Sequence, residues 1–156
     1  MENPFNTTEN TPKRSSLLTT FLVLTFIGSG ASFISNAYIS LFLETVVEYV
    51  EDLADDDAVA GMAAMLETSI ANMEKVGAPY FGLLSLLALV SLTGAALMWR
   101  LNRHGFHLYA SSQILLLFIP MVFGLVKLPG LFETLISALF IWLYARELKI
   151  FEKREA

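Results

Sequence analysis

The chain has 156 residues, is 55% hydrophobic with a mean hydropathy of +0.59, and carries a formal net charge of −5. It is too apolar for an ordinary soluble domain, and four spans of about twenty residues would use roughly half of it. The absence of cysteine excludes disulfides, thiolate metal sites and cysteine nucleophiles.

In chain order, residues 1–15 read as a disordered cytoplasmic tail, because 1–12 are mostly Asn, Thr and Pro. Asn6-Thr7-Thr8 matches a glycosylation sequon, which a cytoplasmic tail would never present to the transferase. A first span is expected over 16–43. Lys13-Arg14 followed by Leu17 to Ile27 and Gly28-Ser29-Gly30-Ala31 imitates a cleavable signal peptide. Apolar character resumes through Phe33, Ile34, Ile39 and Leu43, so the segment is read as a retained helix. Gly28, Ser32, Asn36 and Ser40 recur every fourth residue and form a drifting stripe, predicted to pack against another helix, with Val23, Ile27, Ile34 and Leu41 toward lipid.

The segment 44–77 is acidic, with nine carboxylates against one lysine. Glu44, Glu48, Glu51 and Asp52 alternate with Val47, Val50 and Leu53 in an amphipathic pattern. Asp55-Asp56-Asp57 reads as a break and helix cap. Val59, Met62, Ala63, Leu66, Ile70 and Met73 then predict a second extramembrane helix over 58–76. Gly77 and Pro79 end it and open a second span, 78–99. A third is expected over 106–126, kinked near its outer end by Pro120. Pro129-Gly130 makes the next connection short, so the third span and a fourth, 131–145, form an antiparallel hairpin. A basic and acidic tail, 148–156, closes the chain. Trp99, Tyr109, Trp142 and Tyr144 are placed as inner interfacial anchors, with Tyr38 and Tyr80 toward the outer interface.

The expected fold class is thus all-α: an integral membrane bundle of four transmembrane helices, residues 16–147, with a helical acidic segment between helices one and two. Eight of the ten basic residues would share one side: Lys13, Arg14, Arg100, Arg103, Arg146, Lys149, Lys153 and Arg154. Short basic loops stay inside, so both termini are expected in the cytoplasm and the acidic segment outside, in a cell inner membrane.

Few residues suggest chemistry. Thr25, Ser91 and Gln113 sit at similar depths and predict a polar layer across the bundle, either as interhelical hydrogen bonds or as contacts to a substrate or ion. Glu133 is the one carboxylate placed within a span, as an element of an ion pathway or as an interfacial acid beside Lys127. His104 and His107 lack the further ligands that zinc requires and read as neighbours of lipid phosphates. The acidic segment lacks the spaced ligands of a calcium loop. Serine, histidine and aspartate never cluster as a nucleophile with its base. No enzyme activity, no catalytic residue, no cofactor and no metal are expected.

The runs Leu17-Leu18-Thr19 through Thr25-Phe26-Ile27-Gly28-Ser29-Gly30, Met98 to Tyr109, and Ala138-Leu139-Phe140-Ile141-Trp142-Leu143-Tyr144 together resemble short, uncharacterised four-span bacterial inner-membrane proteins. In these an LT…FIGSG first helix and a basic-Gly-Phe-x-Leu-Tyr entry to the third helix recur; here His104 stands in the basic position before Gly105. The resemblance implies the same fold and location and carries no activity.

The expected function is that of an accessory or interaction subunit. The alternative is an oligomeric transporter or channel for a small solute or cation, using Asn36, Gln113 and Glu133. The expected partners are the lipid bilayer and other membrane proteins or further copies of the chain, with no nucleic acid.

Overall fold

The computed structural model describes residues 15–55 and 61–155, with side chains to 147. The tail through Arg14 and the expected cap at Asp56-Asp57 lie outside the described residues. Five helices follow in order: α1 (Ser16–Leu41), α2 (Leu43–Ala54), α3 (Ala63–Trp99), α4 (His104–Val122) and α5 (Leu131–Glu155). Three of them, α1, α3 and α4, are long and apolar enough to cross a membrane.

α1 starts where Ser15 caps it. The Ser15 hydroxyl accepts the Leu18 N–H at 3.0 Å and donates to the Glu147 carboxylate of α5 at 2.8 Å. Thr19 and Thr20 return their hydroxyls to the carbonyls of Ser15 and Ser16, which hides two polar groups without any partner helix. The helix breaks at Phe42 (φ −127°, ψ 36°) rather than running to 43.

α3 is the central helix, packing on α1, α2 and α4. Its 37 residues form two helical pieces that meet at a kink at Gly77, and the second piece alone, about twenty residues, has the length to cross a hydrocarbon core of about 30 Å. The first piece, from Ala63, covers most of the described part of the helix expected over 58–76 and joins the second through Gly77. At φ 67°, ψ 178° that residue holds a conformation essentially confined to glycine. Pro79, which has no N–H to give, follows two positions later. α2 lays Val46, Val47, Val50 and Leu53 inward, with Glu44, Glu48, Glu51 and Asp52 exposed.

The turn from α3 to α4 takes only Arg100 to Arg103. Leu101 adopts a left-handed conformation (φ 58°), its N–H bonding Met98 O while Asn102 N–H bonds Leu97 O. That backbone costs a non-glycine residue about 1–2 kcal/mol, and burial of the Leu101 side chain in the inner core offsets it. Asn102 Oδ1 then accepts the His104 N–H at 2.9 Å and starts α4.

This turn brings Gly94 and Gly105 into backbone contact. A Cβ on Gly94 would lie 2.8 Å from Tyr109 N and 2.9 Å from Gly105 O; one on Gly105 would lie 2.5 Å from Gly94 O and 2.6 Å from Met98 N. Only glycine at both positions permits this approach.

α4 ends at Val122, short of the expected 126. Gly124 (φ 68°) closes it, with Leu125 N–H bonded to Pro120 O and Gly124 N–H to Met121 O. Lys75 reaches across from α3 and donates to Gly124 O at 2.6 Å, a cation at the negative end of the helix. α5 keeps a helical backbone to Glu155, past the expected end at 145 and through the segment read as a tail. Three of the expected interfacial anchors point inward instead: Tyr80 is buried in the apolar cluster with Val76, Phe81, Leu87 and Ile119, and the other two lie at the opposite end. Tyr109 and Tyr144 are buried and meet edge to face at 5.0 Å, because their rings fill the inner core left by the glycine contact. Trp99 and Trp142 are exposed.

Adding one methyl should therefore discriminate among the glycines. Gly94→Ala or Gly105→Ala should cost about 1–3 kcal/mol by forcing α3 and α4 apart. Gly28→Ala, whose Cβ would meet nothing within 4 Å, should change stability by about 1 kcal/mol or less. Thermal midpoints measured in one detergent check the order, and equal shifts would refute it.

Candidate functional site: a hydroxyl-lined cleft between helices

The bundle has two apolar clusters, one at each end. Leu18, Leu22, Ala95, Met98, Leu101, Tyr109 and Tyr144 form the one at the α3–α4 turn, named the inner core for its place alone; Val76, Tyr80, Phe81, Leu87 and Ile119 form the other, the outer one, at the α2 end. Between them lies a belt of hydroxyls and one amide. Ser91, fully buried on α3, is its hub: its Oγ lies 2.9 Å from Ser29 Oγ of α1 and accepts from Gln113 Nε2 of α4 at 3.2 Å. One turn away, Thr25 Oγ1 lies 2.7 Å from the Tyr144 hydroxyl, which ties α1 to α5. Thr25 and Ser29 are one helical turn apart and so share a face of α1.

Beside this belt is a cleft of about 240 Å³. Thr25, Gly28, Ser29 and Ser32 line it from α1, Tyr109 and Gln113 from α4, Ser137 and Phe140 from α5, and Ala88 from α3. Leu24 and Ile136 also border it and are about half exposed, so it opens outward between α1 and α5. Toward the start of α1 those two helices are closed by Thr25 with Tyr144 and by an edge-to-face contact of Phe21 with Phe140 at 5.4 Å. The lining holds no carboxylate, imidazole, ammonium or guanidinium group.

Of the three residues expected in a polar layer, Ser91 and Gln113 are bonded to each other, and Thr25 joins Tyr144 instead. Thr25 and Gln113 both border the cleft. The four-residue stripe of α1 does not stay on one face. Each step of four turns it by about 40°, so it begins at the cleft with Gly28 and Ser32 and ends against α3, where Ser40 donates to Ala78 O at 3.1 Å. Ser40 Oγ also lies 3.1 Å from where a Cβ on Gly82 would sit, a second close approach of two helices. Asn36 turns back on its own helix, donating to Ser32 O at 2.7 Å. Glu133 is exposed at the start of α5 and curls over Gly130. It stands apart from the cleft.

Ser29, Tyr109, Ser137 and Tyr144 belong to the site and were not singled out for it by sequence. Ser29 carried a usable signal, since it follows Thr25 by four residues; for the two tyrosines, their position near a span end pointed to the interface. No protein-family model matches the chain, nor does any curated protein or solved structure.

The belt makes a stability prediction. Ser91→Ala removes contacts to two other helices and should cost about 0.5–2 kcal/mol. Ser112→Ala removes only a bond to Tyr109 O on its own helix and should cost less than about 0.5 kcal/mol. Unfolding midpoints in detergent compare the two, and a larger loss at Ser112 would contradict the reading.

Proposed function

We propose that this is a small multi-pass protein of the cell inner membrane, with four spans and both termini in the cytoplasm, that works by association as an accessory or interaction subunit and not as an enzyme. For the fourth span, the support is the apolar run 131–145 within the long helix α5. For orientation, it is the gathering of basic residues in both termini and the 100–103 turn. Exposed Glu44, Glu48, Glu51, Asp52, Asp55, Glu67 and Glu74 on α2 and the first part of α3 support an acidic outer face.

One contrast carries the association reading. Within the bundle, small residues are spent on close helix contacts, at Gly94 against Gly105 and at Gly82 against Ser40. On α1, Gly28, Ala31 and Ser35 form a strip at one-turn spacing that is exposed, and the chain brings nothing within 4 Å of a Cβ at Gly28. Lipid gains little from such a strip, whereas a second helix can approach its backbone closely.

Native mass spectrometry of protein gently extracted from its own membrane tests this. A complex with unrelated subunits is expected, and Ala31→Leu with Ser35→Leu should release the chain from it without shifting its own thermal midpoint. A lone homo-oligomer would favour the transport reading, and a monomer unaffected by both changes would refute association. The topology is checked separately: a C-terminal reporter active only in the cytoplasm should give signal, and silence would overturn the orientation.

A further inference from the structure

The cleft between α1 and α5 has a chemistry that the association reading does not use. We infer that it binds an uncharged amphiphile taken from the bilayer, seating a hydroxyl, carbonyl or amide head against Gln113, Ser137 and Ser32 and leaving an apolar tail in the opening between α1 and α5.

Hydroxyl groups on membrane helices are ordinarily silenced by their own backbone, as Thr93 is by Leu89 O and Thr20 by Ser16 O. Ser137 is different: among the described residues its hydroxyl makes no hydrogen bond, and it borders the cleft. Gln113 gives one amide N–H to Ser91, which leaves its other N–H and its carbonyl oxygen for a guest. Ser32 Oγ accepts from Asn36 at 3.2 Å and keeps its own proton to donate. Donors and acceptors from α1, α4 and α5 thus converge on one space. A cavity with such walls differs from the purely apolar kind that stays empty.

Charge selects the guest. No ionised side chain lines the cleft, and an ionic head there would lose its hydration with no counter-charge to replace it. Access selects the tail. Leu24, Ile136 and Phe140 form an apolar border, and the half exposure of the first two opens the cleft sideways between helices rather than along the bundle. The cleft and the docking strip meet only at Gly28: Ala31 and Ser35 do not border the cleft, and neither Gln113 nor Ser137 belongs to α1.

Photolabelling of the whole protein in lipid nanodiscs tests it. Three probes share a ten-carbon chain with a tail diazirine: a primary alcohol, the parent alkane and a trimethylammonium. The alcohol should label peptides covering 24–32 and 136–140, and excess unlabelled decanol should suppress that labelling. One hydrogen bond's worth of selectivity corresponds to about five-fold over the alkane. Ser137→Leu should cut the alcohol signal by a similar factor while the thermal midpoint and helical circular dichroism hold; Gln113→Leu should cut it likewise, with the midpoint lowered by the lost bond to Ser91. Should Gln113→Leu disturb the fold, the partly exposed Ser137 decides alone. Absent labelling at these peptides, equal labelling by all three probes, failure of decanol to compete, or labelling untouched by Ser137→Leu would each overturn the inference.

Discussion

Where α3 crosses α4, two backbones touch. A methyl group at either Gly94 or Gly105 would sit within 3 Å of main-chain atoms of the other helix, so the pair can close only because both positions lack a side chain. In lipid the apolar effect does not push helices together, and close packing of this kind is what holds them. The inner core follows from it. With α3 and α4 pressed together, Tyr109 is turned inward, Tyr144 meets its edge, and the Tyr144 hydroxyl reaches Thr25. α5 is therefore attached to the bundle through aromatic rings whose positions the glycines determine.

The outer end obeys a different constraint. α1 bends at Phe42 and α3 breaks at Gly77, and the two irregularities lie side by side, since Ser40 bonds Ala78 O. Both chains change direction at one level, and beyond it the acidic helices α2 and the start of α3 pack on each other. Lys75, at this same level, joins the end of α4 to α3 through Gly124 O. The apolar bundle and its charged extension thus meet at a seam made of one bend, one glycine break and one lysine.

Much of this architecture was legible. Long apolar runs separated by polar breaks located α1, the span of α3 and α4; Gly77 with Pro79 marked the break in α3; and the alternation of acidic residues with Val47, Val50 and Leu53 placed an amphipathic helix after Leu43. What hydropathy did not show was rotation. In a soluble helix the apolar face must point inward, but in a bilayer lipid and protein interior are equally apolar, so Leu, Phe and Tyr give no sense of direction. That is why Tyr109 and Tyr144 read as anchors and proved to be core residues. It is also why the drifting stripe from Gly28 to Ser40 read as helix packing throughout, although it begins at the cleft and reaches an α3 contact at Ser40. The polar belt was half visible, because depth can be counted along a sequence while the partner across the gap cannot. Ser91 and Gln113 were matched by depth; Ser29 could have been found from its place one turn after Thr25, whereas Ser137 was hidden by the same lack of direction.

The brevity of the turn at Arg100 to Arg103 has a consequence for biogenesis. Gly94 and Gly105 are eleven positions apart, so α3 and α4 can close as soon as both have left the ribosome, at little loop entropy. The bond from Thr25 to Tyr144 spans 119 positions and waits for the last helix. α1 is therefore made first and finished last. Its early hydroxyls at Thr19 and Thr20 are already quiet against their own carbonyls, which lets the helix rest in lipid during that interval. Thr25 and Ser29, whose partners lie on other helices, bear the exposure until the bundle closes around them.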